Sequence, residues 1–210
     1  MGVRRATRAG LAAAAAIALG ALSASAQTVT YSTTGAFSGG TGGTVCTATS
    51  CTSGGFTLSF SGDGSTSYLA PTLVDLGQFV TSGVEPTDPL TAFTGVTFTL
   101  TINQTVPSVG PGTFTGTVSG SLAYNPSTSS LVWTPNTTST TIGSAKYTLV
   151  TDNTGNINIQ APTTNGGNPN TTSVKANVSV TPEPATALLL APGLAGMGLA
   201  ARIRRRRSSK

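Results

Sequence analysis

The middle of this sequence predicts an all-β domain, an antiparallel β-sandwich of jelly-roll or immunoglobulin-like kind, with a barrel as the alternative closure. Two observations predict it. Short runs alternate apolar and polar residues with a period of two, which places every second side chain on one face of an extended strand. Threonine, serine, glycine and valine dominate the composition, and no segment of the middle region shows helical periodicity. Threonine and valine favour strands because a branched Cβ fits a pleated surface. Disorder is the competing reading of a Ser/Gly/Thr-rich chain. It normally needs low hydrophobicity together with high net charge, and charged residues make up only 8% of this chain.

The runs follow one another along the chain. Phe56-Thr57-Leu58-Ser59-Phe60 alternates cleanly. Ser67 to Val80 is a longer apolar stretch broken at Pro71. Val96-Thr97-Phe98-Thr99-Leu100-Thr101-Ile102 puts four apolar residues on one face and three threonines on the other. Phe114 to Val118, Leu122 to Tyr124 and Leu131 to Trp133 continue the series. Lys146 to Val150, Ile157 to Ile159 and Val174 to Val180 complete it. Glycine, proline, asparagine and serine punctuate the gaps. Asp152-Asn153-Thr154-Gly155-Asn156 reads as a hairpin turn between two of the runs. Ala161 to Ser173 reads as a polar, low-complexity connection into the last strand.

Gly35 to Gly55 is richer in glycine and holds both cysteines, Cys46 and Cys51. An even count in an exported chain predicts a disulfide between them. A sulfur–imidazole zinc site is ruled out, because the chain has no histidine and no second cysteine pair. No cofactor or metal is expected.

The two ends carry a different kind of signal. Arg4, Arg5 and Arg8 precede an alanine-rich apolar stretch, Leu11 to Leu22, and then Ala24-Ser25-Ala26. This is the three-part pattern of a signal peptide, residues 1–26, cleaved between Ala26 and Gln27. Arg4-Arg5 invites a twin-arginine reading, but Ala6-Thr7-Arg8 follows instead of apolar residues, so the general secretory translocon is the expected route. At the other end Pro182-Glu183-Pro184 is followed by an uncharged run, Ala185 to Ala201. A basic cluster closes the chain: Arg202, Arg204, Arg205, Arg206, Arg207 and Lys210. As a helix the run would span roughly 25 Å, close to a hydrocarbon core of about 30 Å. The arginines would then stop transfer and stay on the cytoplasmic side. A plain membrane anchor is the simpler alternative for this tail.

The order Pro-Glu-Pro, apolar span, basic terminus resembles the PEP-CTERM sorting signal of exported bacterial proteins. The resemblance covers residues 182–210, with the motif at 182–184, the membrane span at 185–201 and the basic tail at 202–210. It implies an exosortase-type processing enzyme as partner and an inner-membrane-held precursor that later reaches the cell surface or extracellular matrix. It also implies an association with exopolysaccharide and biofilm.

These ends change the reading of charge. The chain has 11 basic and 6 acidic residues. Between Gln27 and Thr181 only Lys146 and Lys175 remain, against Asp63, Asp75, Glu85, Asp88 and Asp152, a net charge of −3 without one arginine. Such a domain, of about 155 residues, is large enough for its own core. It has no basic patch for DNA or RNA, so no nucleic-acid partner is expected.

The residues therefore predict a non-catalytic exported protein, structural or adhesive. A carbohydrate-binding module is the alternative, with Tyr68, Tyr124, Trp133 or Tyr147 stacking on sugar. Trp133 fits a core position equally well. Without histidine a Ser-His-Asp triad cannot form. Two carboxylates can hydrolyse a glycoside, but Asp63, Glu85 and Asp88 sit among glycines and prolines, which are turn placements first. Calcium ligation by Asp63, Asp75, Asp88 or Asp152 lacks the spacing of a known calcium loop.

Overall fold

A computed structural model of the chain describes residues 26–83, 90–123, 128–162 and 169–181. The described part is all-β, built of two curled antiparallel sheets. Both terminal segments, and with them Pro182, Glu183, Pro184 and the arginine cluster, lie outside the described residues, as do Glu85, Asp88 and Tyr124. Among the described residues no helix is long and apolar enough to cross a membrane.

One sheet contains β1 (Gln27–Thr41), β5 (Thr66–Ala70), β7 (Thr91–Val106), β8 (Gly110–Leu122), β9 (Val132–Pro135) and β12 (Ile157–Asn158). Its spatial order is β12-β9-β8-β7-β1-β5. The other holds β2 (Val45–Cys46), β3 (Ser50–Ser53), β4 (Phe56–Ser61), β6 (Thr72–Ser82), β10 (Ser139–Ile142), β11 (Ala145–Leu149) and β13 (Asn170–Val180). Its order is β10-β11-β13-β6-β4-β3-β2. We call them the first and second sheets. The inner faces of both contribute to one hydrophobic cluster.

In β7 the alternation read in the sequence is the alternation seen. Val96, Phe98, Leu100 and Ile102 of β7 are buried, and Thr97, Thr99 and Thr101 face outward. The aromatic residues of the two sheets meet at the centre. Phe79 of β6 packs against Phe98 at 4.7 Å, Trp133 at 5.7 Å and Phe37 at 6.4 Å between ring centroids, all three from the first sheet. Phe60 of β4 joins Phe98 at 5.0 Å.

Phe79 points inward because β6 carries an extra residue. Val74 and Leu76 face the core on even positions, and Phe79 and Thr81 face it on odd ones. The register against β13 slips between Ser173 and Lys175, leaving Leu76 and Gly77 opposite Val174. This is a bulge. Gly77 occupies it with φ 110°, where an L side chain is strained, and a Cβ there would strike the Ser61 carbonyl. The Gly77 N–H donates to Asp75 Oδ1 at 2.9 Å, which closes the bulge.

Polar ties also join the sheets away from the aromatic centre. Tyr31 Oη donates to the Asp75 carbonyl at 2.6 Å, and Thr33 Oγ1 donates to the Leu76 carbonyl at 2.8 Å. Tyr147 Oη donates to Gln104 Oε1 at 2.7 Å, while Gln104 Nε2 donates to the carbonyls of Ser108 and Ile142. Gln104 is thus buried with both ends of its amide satisfied, as a buried polar group requires.

Several sequence expectations are corrected here. Gly35 to Gly55, set apart as a glycine-rich segment, holds the end of β1 and all of β2 and β3. A strand not expected from the alternation, β1, opens the domain at Gln27. Another, β10, fills Ser139–Ile142. The Asp152–Asn156 turn is present, closed by Asp152 N–H to Asn156 O at 2.8 Å. It carries the chain from β11 in the second sheet to β12 in the first, so it is a crossover and not a hairpin. Strand β13 starts at Asn170, inside the stretch expected to be a connection. The break at Pro71 falls between β5 and β6, with a cis Ala70–Pro71 peptide.

Cys46 and Cys51 are bonded, and they face each other directly across the β2–β3 ladder. Two stability outcomes follow. Gly77→Ala should lower unfolding free energy by about 1–3 kcal/mol, the cost of a strained backbone plus a collision, read from urea midpoints. The Cys46→Ser, Cys51→Ser double variant should lose about 2 kcal/mol, the loop-closure value for so short a ring, and still unfold cooperatively.

Candidate functional site

The outer faces of the two sheets differ in chemistry. No strand of the first sheet contains Asp, Glu, Lys or Arg. Its outward positions are mostly hydroxyl-bearing, and those of β7 and β8 pair in register: Thr97 with Thr117, Thr99 with Thr115, and Thr101 with Thr113. Thr99 and Thr115 hydroxyls lie 3.1 Å apart, bonded to each other.

The second sheet carries both described lysines on its outer face. Lys146 of β11 is in register with Ser179 of β13, and Lys175 of β13 is in register with Asp75 of β6. On the same face lies a shallow depression of about 310 Å³ lined by Pro71, Thr72, Leu73, Thr148, Asn177, Val178 and Ser179. The alternation of β13 explains its chemistry. Val174, Ala176 and Val178 turn to the core, so Lys175, Asn177 and Ser179 must turn outward. Asn177 faces Leu73 on one side and Thr148 on the other. Leu73 remains 51% exposed, an apolar side chain left open at the rim.

The residues expected from sequence to carry function are distributed as follows. Ala26 immediately precedes β1, and Gln27 is its first residue, paired with Ala70. Trp133 and Tyr147 are fully buried. Tyr68 is half-buried and stacks on Tyr31 at 5.9 Å. Trp133 and Tyr147 therefore serve the core and present no ring to a sugar. The indole N–H of Trp133 has no hydrogen-bond partner among the described residues. Burial pushes the Tyr31 and Tyr147 hydroxyls well above the ordinary tyrosine range, with the neighbouring Tyr68 adding to the shift at Tyr31.

The described aspartates sit in structural hydrogen-bond arrangements. Asp63 is bound at both main-chain ends to Thr33. Its side chain is raised above the ordinary carboxylate range, first by burial and then by the charge of Asp75. Asp152 is exposed, and its carboxylate is lowered to about 2. The Thr154 hydroxyl at 2.7 Å is the leading cause, followed by the Asn156 N–H at 2.9 Å, with the Thr154 N–H and Asn158 amide also donating. Its oxygens are thus taken up by its own loop. Among the described residues no group of three or more His, Cys, Asp or Glu side chains is placed to hold a metal ion.

No known protein family, curated protein or solved structure matches this chain.

The depression itself was not singled out in the sequence. The available signal was the pair of lysines, alone in the domain and both on strand runs, whose alternation assigns them to an outer face. That the two runs are neighbours in one sheet is a matter of register between distant segments.

The two shifted aspartates act oppositely on stability. Asp152 contributes above the ordinary carboxylate range, and that contribution is lost as pH falls towards 2. Asp63 contributes below the ordinary range and loses that contribution as pH rises through its raised value. Asp152→Ala should therefore lower the melting temperature at pH 7 and flatten its fall between about pH 4 and 2. Thermal unfolding of variant and parent at pH 7, 4 and 2 measures both effects.

Proposed function

We propose that this chain is the precursor of an exported, exosortase-sorted protein of the cell surface or extracellular matrix. Its domain is non-catalytic, structural or adhesive, and associated with exopolysaccharide. The observation that carries the reading is the order of the C-terminal segments, Pro182-Glu183-Pro184, an uncharged run to Ala201, and the arginines from Arg202 to Arg207. An N-terminal signal peptide ending at Ala26 supplies the matching export signal.

The described fold is compatible in its bounds. The first strand begins at Gln27 and the last ends at Val180, two residues before the motif. The shared core of the two sheets supports reading the domain as a sandwich, jelly-roll or immunoglobulin-like. The non-catalytic reading rests on the absence of histidine and on the structural engagement of Asp75 with Gly77. In the precursor the span 185–201 holds the chain in the inner membrane and the arginines stop transfer. The secretory translocon and the processing enzyme are its transient partners.

Replacing Pro182, Glu183 and Pro184 by alanine in the native host should leave an uncleaved, membrane-held precursor. Cell fractionation with intact-mass analysis reads the result, and the mature amino terminus should be Gln27. Processing and delivery of the alanine variant like the parent would make the tail a plain anchor.

A further inference from the structure

We propose that the depression on the outer face of the second sheet is a binding site for an acidic polysaccharide, a chain of carboxylate-bearing sugars. The inference deepens the adhesive reading above by naming a ligand class and the surface that takes it.

Three features select this ligand. The first is charge. Lys146 and Lys175 are the only lysines or arginines between Gln27 and Thr181, and the fold puts both on the outer face that holds the depression, Lys146 in register with its lining residue Ser179 and Lys175 two residues along β13 from its lining residue Asn177. Lys175 lies four residues along β13 from Ser179, which pairs with Lys146, so the two ammonium stems start about 14 Å apart on ordinary strand dimensions. A pair at that separation suits carboxylates repeated along an extended chain better than a single small anion.

The second feature is the lining. The Asn177 amide offers donors and an acceptor, and the Thr148 and Ser179 hydroxyls offer both, which matches sugar hydroxyls. Pro71 and the exposed Leu73 supply apolar surface for the C–H face of a sugar ring. The depression is open and shallow, as a site for an internal stretch of polymer must be.

The third feature is what the site lacks. It has no arginine fork, and the β11–β13 and β13–β6 ladders engage the local backbone, so no array of free N–H groups is aimed outward for phosphate. Lysine acts as a point charge, without arginine's bidentate fit to phosphate.

Asp75 makes the two lysines unequal. It faces Lys175 across the β6–β13 ladder, with Oδ1 turned back to the Gly77 N–H. Its charge offsets part of the pull of Lys175. Lys146, opposite neutral Ser179, keeps its full effect.

The test uses the full chain in nonionic detergent with its nine terminal basic residues (Arg4, Arg5, Arg8, Arg202, Arg204, Arg205, Arg206, Arg207 and Lys210) changed to Gln, so that Lys146 and Lys175 are its only basic side chains, and two immobilised polymers with one backbone, polygalacturonate and its fully methyl-esterified form. Binding to polygalacturonate should be retained at low salt, decline as salt rises, and be absent from the ester. Lys146→Ala should weaken it about two- to five-fold and Lys175→Ala less, the range for exposed charges. Thr117→Glu, on the outer face of the first sheet, should change nothing. Trp133 fluorescence confirms that each variant is folded.

Equal binding to the ester, or binding unchanged in the Lys146→Glu, Lys175→Glu double variant, overturns the site. Equal capture by polyphosphate, with the same lysine dependence, overturns the assignment to sugar carboxylates. With the terminal basic residues neutralised, none of these outcomes depends on processing of the tail. Failure of the sorting reading would show only in the alanine variant of Pro182-Glu183-Pro184.

Discussion

The contact of Phe79 with the aromatic residues of the opposite sheet is the constraint on which the rest depends. Two sheets with polar outer faces have only their inner faces to hold them together. Here one side chain touches Phe37, Phe98 and Trp133 from three different strands of the first sheet. A buried phenylalanine truncated to alanine typically costs about 3–5 kcal/mol, a large share of a small domain's stability. Its inward aim depends on the extra residue at Gly77, and Gly77 depends on having no side chain. Asp75, which receives the Gly77 N–H, takes the hydroxyl of Tyr31 on its own carbonyl. The bulge is therefore bonded to the first sheet as well as inserted in the second.

The second half of the fold was largely legible, because burial there is hydrophobic. Val96 to Ile102 and Val174 to Val180 show their alternation in letters, and the structure keeps it. Strand β1 was not legible for a physical reason. Its inward positions include Thr33 and Gly35 between Tyr31 and Phe37. Thr33 is buried because its hydroxyl donates to Leu76 O and accepts from the Asp63 N–H. Gly35 is inward because the rings of Phe60 and Phe98 occupy the space a Cβ would need. A buried threonine and a displaced side chain both break hydrophobic alternation, and both are decided by residues 25 or more positions away. The disulfide, by contrast, needed only two cysteines close in sequence.

The bulges illustrate the same limit. In β7 the register slips between Phe93 and Val96, and the inward positions change from odd to even there. A strict period-two reading loses phase at such a point. Gly95 marks it in the sequence, as Gly77 does in β6, but a glycine in a threonine-rich chain has many reasons to be present. Phase is recovered only from the partner strand. For the candidate site this matters directly, since the outward aim of Asp75 and Leu73 on β6 is set on one side of its bulge and that of Gln78 and Val80 on the other.

The partition of charge between the sheets bears on the polymer binding proposed for the second sheet. Sparse charge leaves the first sheet with neutral hydroxyls, whose exchange of water for a ligand gains little per bond, about 0.5–1.5 kcal/mol net. Two exposed lysines add modestly, since surface ion pairs contribute about 0.2–1 kcal/mol each. A single depression of this kind would therefore hold one stretch of polymer weakly. A polymer that offers many equivalent stretches to many copies of the domain converts weak contacts into avidity, because each later contact forms at high effective concentration. Weak, repeated and reversible contact is what the proposed site on the Lys146–Lys175 face would make, and it would ask nothing of the buried aromatic rings, which the core has already taken.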